Sequence, residues 1–333
     1  RFNIFLTNSL EEHHKDTGTL FASWLSDEST LANQIKRDTP VMCVIGNPPY
    51  SVSSSNKSEW IENLLKDYKK NLNERNIQPL SDDYIKFIRF GQYFVDKNGE
   101  GILAYISNNS FVDGIIHRQM RRSLLESFDK IYILDLHGNS KKKETAPDGS
   151  VDQNVFDIMQ GVSINLFVKT GKKNVDELSE VFHYDLFGKR DLKYDFLSNN
   201  SIKTIEYKKL PNVAPDYYFV NKNFEVKEEY DEGFSLVNLF PLNNVGIVTA
   251  RDNFTIHSSK EEVENVINDF LNLDDETART KYQLGKDVRD WQVNFAKKDL
   301  ITNYPDKGVF TQVSSRPFDI RWTFYTGDRK SVV

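Results

Sequence analysis

Between residues 41 and 168 the chain alternates unbroken apolar runs with segments of helical periodicity, and that alternation admits few folds. Residues 41–45 (Val-Met-Cys-Val-Ile) form a continuous apolar run of the kind a strand buried on both faces needs. Residues 59–70 and 82–97 read as helices, the second with Tyr84, Phe87, Ile88, Phe90, Phe94 and Val95 as its core stripe. Gly99 and Gly101 end that helix, residues 102–106 form the next strand, and 115–128 a further helix. Residues 131–136 and 162–168 are strands joined by a loop containing Lys141–Lys143, Pro147 and Gly149. Residues 2–6 make a short strand before all of these. The order predicts an α/β fold: a mostly parallel sheet, helices on both faces, and the last two strands as an antiparallel edge hairpin. In such sheets the site lies at the carboxyl ends of the strands.

Residues 47–50, Asn-Pro-Pro-Tyr, leave the apolar run at such an end. Asn47 offers a side-chain carbonyl. Pro48 lacks an N–H but keeps its carbonyl, and its ring holds Asn47 extended. Two acceptors aimed at one exocyclic amine take both its hydrogens, weaken conjugation of the lone pair and aim it at an electrophilic methyl carbon. Tyr50 adds an aromatic face for a planar base drawn out of its stack. The plainer reading is a strand ended by a proline-stiffened turn.

Beyond residue 172 the texture becomes charged and aromatic. Residues 173–235, with Pro211 and Pro215, read as a connector; 236–333 read as an irregular α+β region with strands near 245–249, 308–313 and 322–325 and a helix at 259–272. A length of 333 residues suits two domains, and 38% apolar with 13% aromatic content is globular. The single cysteine, Cys43, excludes an internal disulfide and fits a cytoplasmic setting. No apolar run is long enough to span a membrane. With a net charge of −6, nucleic-acid contact has to come from local basic patches.

These residues resemble an N6-adenine-specific DNA methyltransferase of the type carried by single-polypeptide restriction–modification enzymes. Beside Asn-Pro-Pro-Tyr, the resemblance rests on Leu6-Thr7-Asn8-Ser9-Leu10-Glu11, on residues 82–90 (Asp-Asp-Tyr-Ile-Lys-Phe-Ile-Arg-Phe) and on residues 101–111. It extends to Asn154-Val155-Phe156-Asp157-Ile158 with Gly161-Val162-Ser163-Ile164, and more loosely to residues 246–252 and 316–322. It implies a Rossmann-like methyltransferase sheet over 1–172 and part of a target-recognition domain over 236–333. It implies S-adenosylmethionine as donor, with Thr7, Asn8 and Asn47 beside it, and double-stranded DNA as partner. A flipped adenine would lie between Tyr50 and Phe156. The family's Gly-rich loop after the first strand, and the acidic residue after the second, are not in this sequence. The chain is therefore expected to be a fragment whose donor-binding segment lies upstream of Arg1. Whether nuclease or helicase domains accompany it is left open by these residues.

Candidate DNA contacts are Arg118, Arg121 and the lysines 141–143 for phosphates, and Arg251 and Arg321 for base edges. Arg118, Arg121 and Arg122 also fit a solvated helix face, and the lysines a surface loop. The histidines show no ligand spacing, so no metal is assigned. Pro215-Asp216 with Glu225-Val226-Lys227 loosely matches a magnesium-dependent nuclease pattern on a charged connector. Two other functions fit the tetrapeptide or the fragment: a protein-glutamine methyltransferase and a non-catalytic DNA-binding module.

Overall fold

The computed structural model describes residues 4–5, 7–12, 23–50, 54–242, 247–288 and 291–327. The chain divides into two compact units, Arg1–Val226 and Lys227–Val333. The first is built on a sheet of six strands: β1 (Cys43–Gly46), β2 (Gly101–Asn108), β3 (Lys130–Asp135), β4 (Val162–Lys169), β5 (Glu180–Asp185) and β6 (Lys208–Leu210). Their spatial order is β1-β2-β4-β3-β5-β6. β1 pairs parallel with β2, and β3 with β5; β4 runs antiparallel to β2 and β3, and β6 antiparallel to β5. The carboxyl ends of β1, β2, β3 and β5 therefore meet the amino end of β4 along one edge.

The sheet is thus mixed, and it departs from the sequence expectation in three places. β3 and β4 do pair antiparallel, but β4 is inserted between β2 and β3 instead of lying at an edge. Residues 173–235, expected only to connect, contribute β5, β6 and helix Arg190–Asn199. β5 escaped notice because Glu-Val-Phe-His-Tyr-Asp mixes polar with apolar residues, and β6 is only three residues long. β1 is not buried: among the described residues it pairs with β2 alone, and Ile45 within it and Met42 just before it are 79% and 57% exposed. Of the first expected strand, Phe2, Asn3 and Leu6 lie outside the described residues and Ile4 and Phe5 form no strand; of the strand expected near 245–249, Val245 and Gly246 lie outside them and Ile247, Val248 and Thr249 form none.

Helix Asp83–Asn98 ends at Gly99, whose φ of 85° suits the left-handed cap. It lays Tyr84, Ile85, Ile88 and Val95 against Leu103, Tyr105, Ile131 and Phe167 of the sheet. Close approach needs Gly91, where a Cβ would come within 2.4 Å of the Leu103 side chain. Helix Arg118–Ser127, entered through a 3₁₀ turn at Ile115–His117, adds Met120, Leu124 and Leu125 to the same core.

In the second unit, helices Lys260–Asn272 and Val293–Asn303 pack with the hairpin β7 (Val309–Arg316) and β8 (Asp319–Tyr325). Phe254, Phe270, Trp291, Leu300 and Phe324 form its core. Among the described residues no helix is long and apolar enough to cross a membrane.

Candidate active site

Asn47–Tyr50 follows β1 onto the carboxyl edge, with Pro48 buried, Asn47 exposed and Tyr50 half-buried. The Tyr50 hydroxyl donates to Asn47 Oδ1 at 3.0 Å. Burial pushes the Tyr50 pKa up to about 12, so the hydroxyl stays a donor at neutral pH. Phe156 faces Tyr50 with ring centroids 6.3 Å apart and planes inclined at 56°. A base between two rings needs about 7 Å, two contacts of about 3.5 Å each. The centroid spacing is close to that separation, with the two planes tilted rather than parallel.

The first turn of helix Asp83–Asn98 fixes Ser54 and Asn56. Asp83 Oδ1 accepts from Ser54 Oγ at 2.5 Å and Asn56 Nδ2 at 3.1 Å. Lys86, fully buried, donates to Ser54 Oγ at 3.1 Å and to the Asn56 carbonyl, and pairs with Glu62 at 3.1 Å. Asp82 beside them has its pKa raised to about 6 by burial and by the neighbouring Asp83 charge. Asn56 Oδ1 also accepts from Asn8 Nδ2 at 3.3 Å, and Ser58 Oγ donates to the Leu10 carbonyl at 2.6 Å. Asn8 is thereby tied to the loop that follows Asn47–Tyr50, with exposed Thr7 next to it.

The Phe156 loop is held from below by groups the sequence reading missed. Asp152 and Lys193 form an ion pair at 2.8 Å with both side chains fully buried. Asp152 also accepts from Gly138 N at 2.6 Å and Gly188 N at 2.7 Å, while Lys193 donates to the carbonyls of Leu136 at 2.6 Å and Gln153 at 2.7 Å. Arg190 Nε donates to the Asn154 carbonyl at 2.7 Å and its Nη2 to the Phe156 carbonyl at 3.0 Å; Tyr194 donates to the Val155 carbonyl at 2.6 Å. Arg190, Lys193 and Tyr194 stand at i, i+3 and i+4 of one helix, a spacing that puts them on one face and was visible in the sequence. Gly138, with φ of 81°, packs so closely that a Cβ would lie 2.4 Å from Asn154 Cα.

His137 sits beside this loop, at the ends of β3 and β5. Its Nδ1 lies 3.1 Å from Glu144 Oε1 and its Nε2 2.8 Å from Asp185 Oδ1, and its ring stacks on Phe187 at 3.9 Å. Burial alone would lower its pKa, but hydrogen bonds to Asp185 and Glu144 and the Asp135 charge raise it to about 10. His137 is therefore a fixed cation. Asp135, His183 and Asp185 bring potential metal ligands within 4.8 Å of one another, a group that sequence spacing did not reveal; His137 lies 3.9 Å from Asp135 and 2.8 Å from Asp185.

The proposed phosphate contacts separate. Arg121 is fully buried and donates to the carbonyls of Phe111 at 2.7 Å, Gly114 at 2.8 Å and Asp216 at 2.7 Å, so it staples loops and cannot reach a phosphate. Arg118 pairs with Glu74 at both carboxylate oxygens. Lys141, Lys142 and Lys143 are exposed on the turn anchored by His137 through Glu144. In the second unit, Arg251 lies over the Trp291 ring and donates to the carbonyls of Leu284 and Ala250, both at 2.8 Å, which braces its loop and takes it away from base reading. Arg321 is exposed and pairs with its neighbour Asp319 at 2.9 Å. Glu225 and Lys227 of the nuclease-like pattern fall in different compact units.

Residues 8–142 match the family model of the Eco57I restriction-modification methylase, and residues 238–332 that of the Type ISP C-terminal specificity domain. The chain joins a restriction-modification methylase domain to a Type ISP specificity domain. Solved structures agree in fold. The ATP-dependent Type ISP restriction-modification enzyme LlaBIII bound to DNA superposes with a TM-score of 0.64 at 23% identity, over 98% of this chain and 23% of that one. The DrdV–DNA complex gives 0.64 at 20% identity, over 99% and 34%. A nuclease-deletion mutant of the Type ISP enzyme LlaGI with a DNA substrate mimic gives 0.61 at 21%, over 98% and 33%. The chain thus spans about a quarter to a third of the length of the enzymes it resembles. Comparison with curated proteins gives no match. The Phe156 loop lies beyond the matched part of the methylase domain, which makes its anchoring by helix Arg190–Asn199 the more informative.

Two predictions follow from this geometry. Lys193→Met strands the Asp152 carboxylate in the interior and costs about 3–5 kcal/mol in urea unfolding, part of which Asp152→Asn in the same chain restores. A cost under about 1 kcal/mol would show that the pair is not what holds the loop. For His137, the folded pKa of about 10 stands above the ordinary 6.5. Its contribution is complete below that lower value and is lost as pH rises toward the upper one. The stability gap between wild type and His137→Asn, followed by thermal melting from neutral to alkaline pH, therefore narrows; a constant gap would mean a neutral ring.

Proposed function

We propose that the methylase domain methylates N6 of adenine in double-stranded DNA, with the specificity domain selecting the sequence, as part of a restriction–modification enzyme. The observation that carries this reading is Tyr50 facing Phe156 at 6.3 Å while its hydroxyl donates to the acceptor Asn47 Oδ1. The target adenine leaves the duplex, at a cost of a few kcal/mol in stacking and pairing, and enters between the two rings. The N6 amine then donates hydrogen bonds to Asn47 Oδ1 and the Pro48 carbonyl, displacing the Tyr50 hydroxyl from the acceptor it holds, and loses one proton to solvent once it has taken the methyl group. Positioning supplies most of the acceleration, since the amine needs no strong base before it attacks.

S-adenosylmethionine would supply the methyl group, with Thr7, Asn8 and Asn47 lining one side of its site. These residues make only part of a donor pocket. The remainder belongs to an upstream segment of the same polypeptide, and the exposed apolar edge at Met42, Cys43 and Ile45 supports its docking there. Lys141–Lys143 grip phosphates beside the site. A match to a specificity domain favours DNA over a protein glutamine as substrate.

In the complete enzyme, Asn47→Ala lowers methyl transfer by more than tenfold while leaving DNA affinity nearly unchanged, because the acceptor matters most in the transition state. A variant keeping more than a tenth of the rate, a loss under about 1.4 kcal/mol, would overturn the role of Asn47. Tyr50→Ala weakens capture of the flipped base far more than Tyr50→Phe does. Equal damage from both would replace stacking with a role for the hydroxyl.

A further inference from the structure

The tip of the β7–β8 hairpin is an odd place for a large aromatic side chain. Pro317 and Phe318 form the turn between Arg316 and Asp319, the closing pair of the ladder. Pro317 suits the first corner of such a turn, but the second corner has a φ of 67° and is occupied by Phe318, where glycine or asparagine is the residue of choice. Phe318 is also 106% exposed, and Ile320 beside it 64%. The sequence thus places a large aromatic side chain where both backbone and water disfavour it. An observed strain of this kind points to a function at the tip.

The hairpin is firmly rooted. Phe324 is buried in the core, Thr323 donates to the Thr255 carbonyl at 2.7 Å, and the Trp322 backbone bridges His257 at 2.8 and 2.9 Å. Toward the tip both strands become exposed, and a bulge between Ser314 and Arg316 twists the ribbon. Arg316 is exposed, and its guanidinium has no hydrogen-bond or ion-pair partner among the described residues. Arg321 is already held by Asp319. The result is a rigid two-stranded ribbon, of a size a DNA groove admits, that ends in an apolar wedge with one available cation beside it.

We propose that the hairpin tip inserts Phe318 between adjacent base pairs of duplex DNA, with Arg316 on the neighbouring phosphate. The inference rests on the reading of the second unit as a DNA-recognition domain. The wedge unstacks a step and kinks the duplex, independently of which bases the rest of the domain reads.

The test compares Phe318→Gly, Phe318→Trp and Arg316→Gln in the 333-residue chain, titrated with a short mixed-sequence duplex. Phe318→Gly relieves the turn, so its fold is at least as stable as wild type, yet duplex affinity should fall by about tenfold with the salt dependence unchanged. The emission of the added tryptophan in Phe318→Trp should be quenched by duplex. Arg316→Gln should flatten the slope of log affinity against log salt by about 0.9. Wild-type duplex binding together with unaltered affinity in Phe318→Gly and unquenched Phe318→Trp would overturn the wedge and leave the DNA-recognition reading standing. If the wild-type chain fails to bind duplex at all, the DNA-recognition reading of this unit falls, and the wedge with it.

Discussion

The buried pair between Asp152 and Lys193 is the constraint on which the site depends. Two charges with fully buried side chains are expensive to remove from water, and their mutual attraction offsets that cost only if the remaining donors and acceptors are also satisfied. Here they are. Asp152 collects the backbone N–H groups of Gly138 and Gly188, and Lys193 the carbonyls of Leu136 and Gln153. One interaction therefore ties the end of β3, the segment after β5, the Phe156 loop and helix Arg190–Asn199 into a single arrangement. Its value is in selecting that arrangement more than in net stability.

The two halves of the proposed base-capture site are supported differently. Asn47–Tyr50 leaves a strand and is followed by a loop fixed by Asp83 and buried Lys86. The Phe156 backbone is held by Arg190 and Asn154, and Tyr194 holds the carbonyl of Val155 beside it, while the Phe156 ring packs partly buried beside Tyr50. In the proposed reading, base entry would bring the two rings from an inclination of 56° toward a parallel sandwich.

Much of the structure around Asn47–Tyr50 could be read from the residues because it is local. The strand, the tetrapeptide and helix Asp83–Asn98 with its glycine cap each carry their own signal. The order of the strands did not, since the insertion of β4 between β2 and β3 depends on long-range pairing that periodicity cannot report. β1 has the composition of a buried strand and stands exposed, because apolarity records what a strand is suited to pair with and not what is present. Arg121 shows the opposite failure. Its charge suggested a phosphate contact, while three backbone carbonyls consume its guanidinium in the interior. Charge in a sequence says nothing of burial.

The central claim is that this edge of the sheet captures adenine and directs its N6 at a methyl donor. The most direct measurement is to supply the complete enzyme with isotopically labelled S-adenosylmethionine and duplex DNA, digest the DNA to nucleosides and identify the labelled product by mass spectrometry. The account predicts N6-methyladenine, absent when Asn47 is alanine. Label on cytosine, or on protein with none in the DNA, would contradict it.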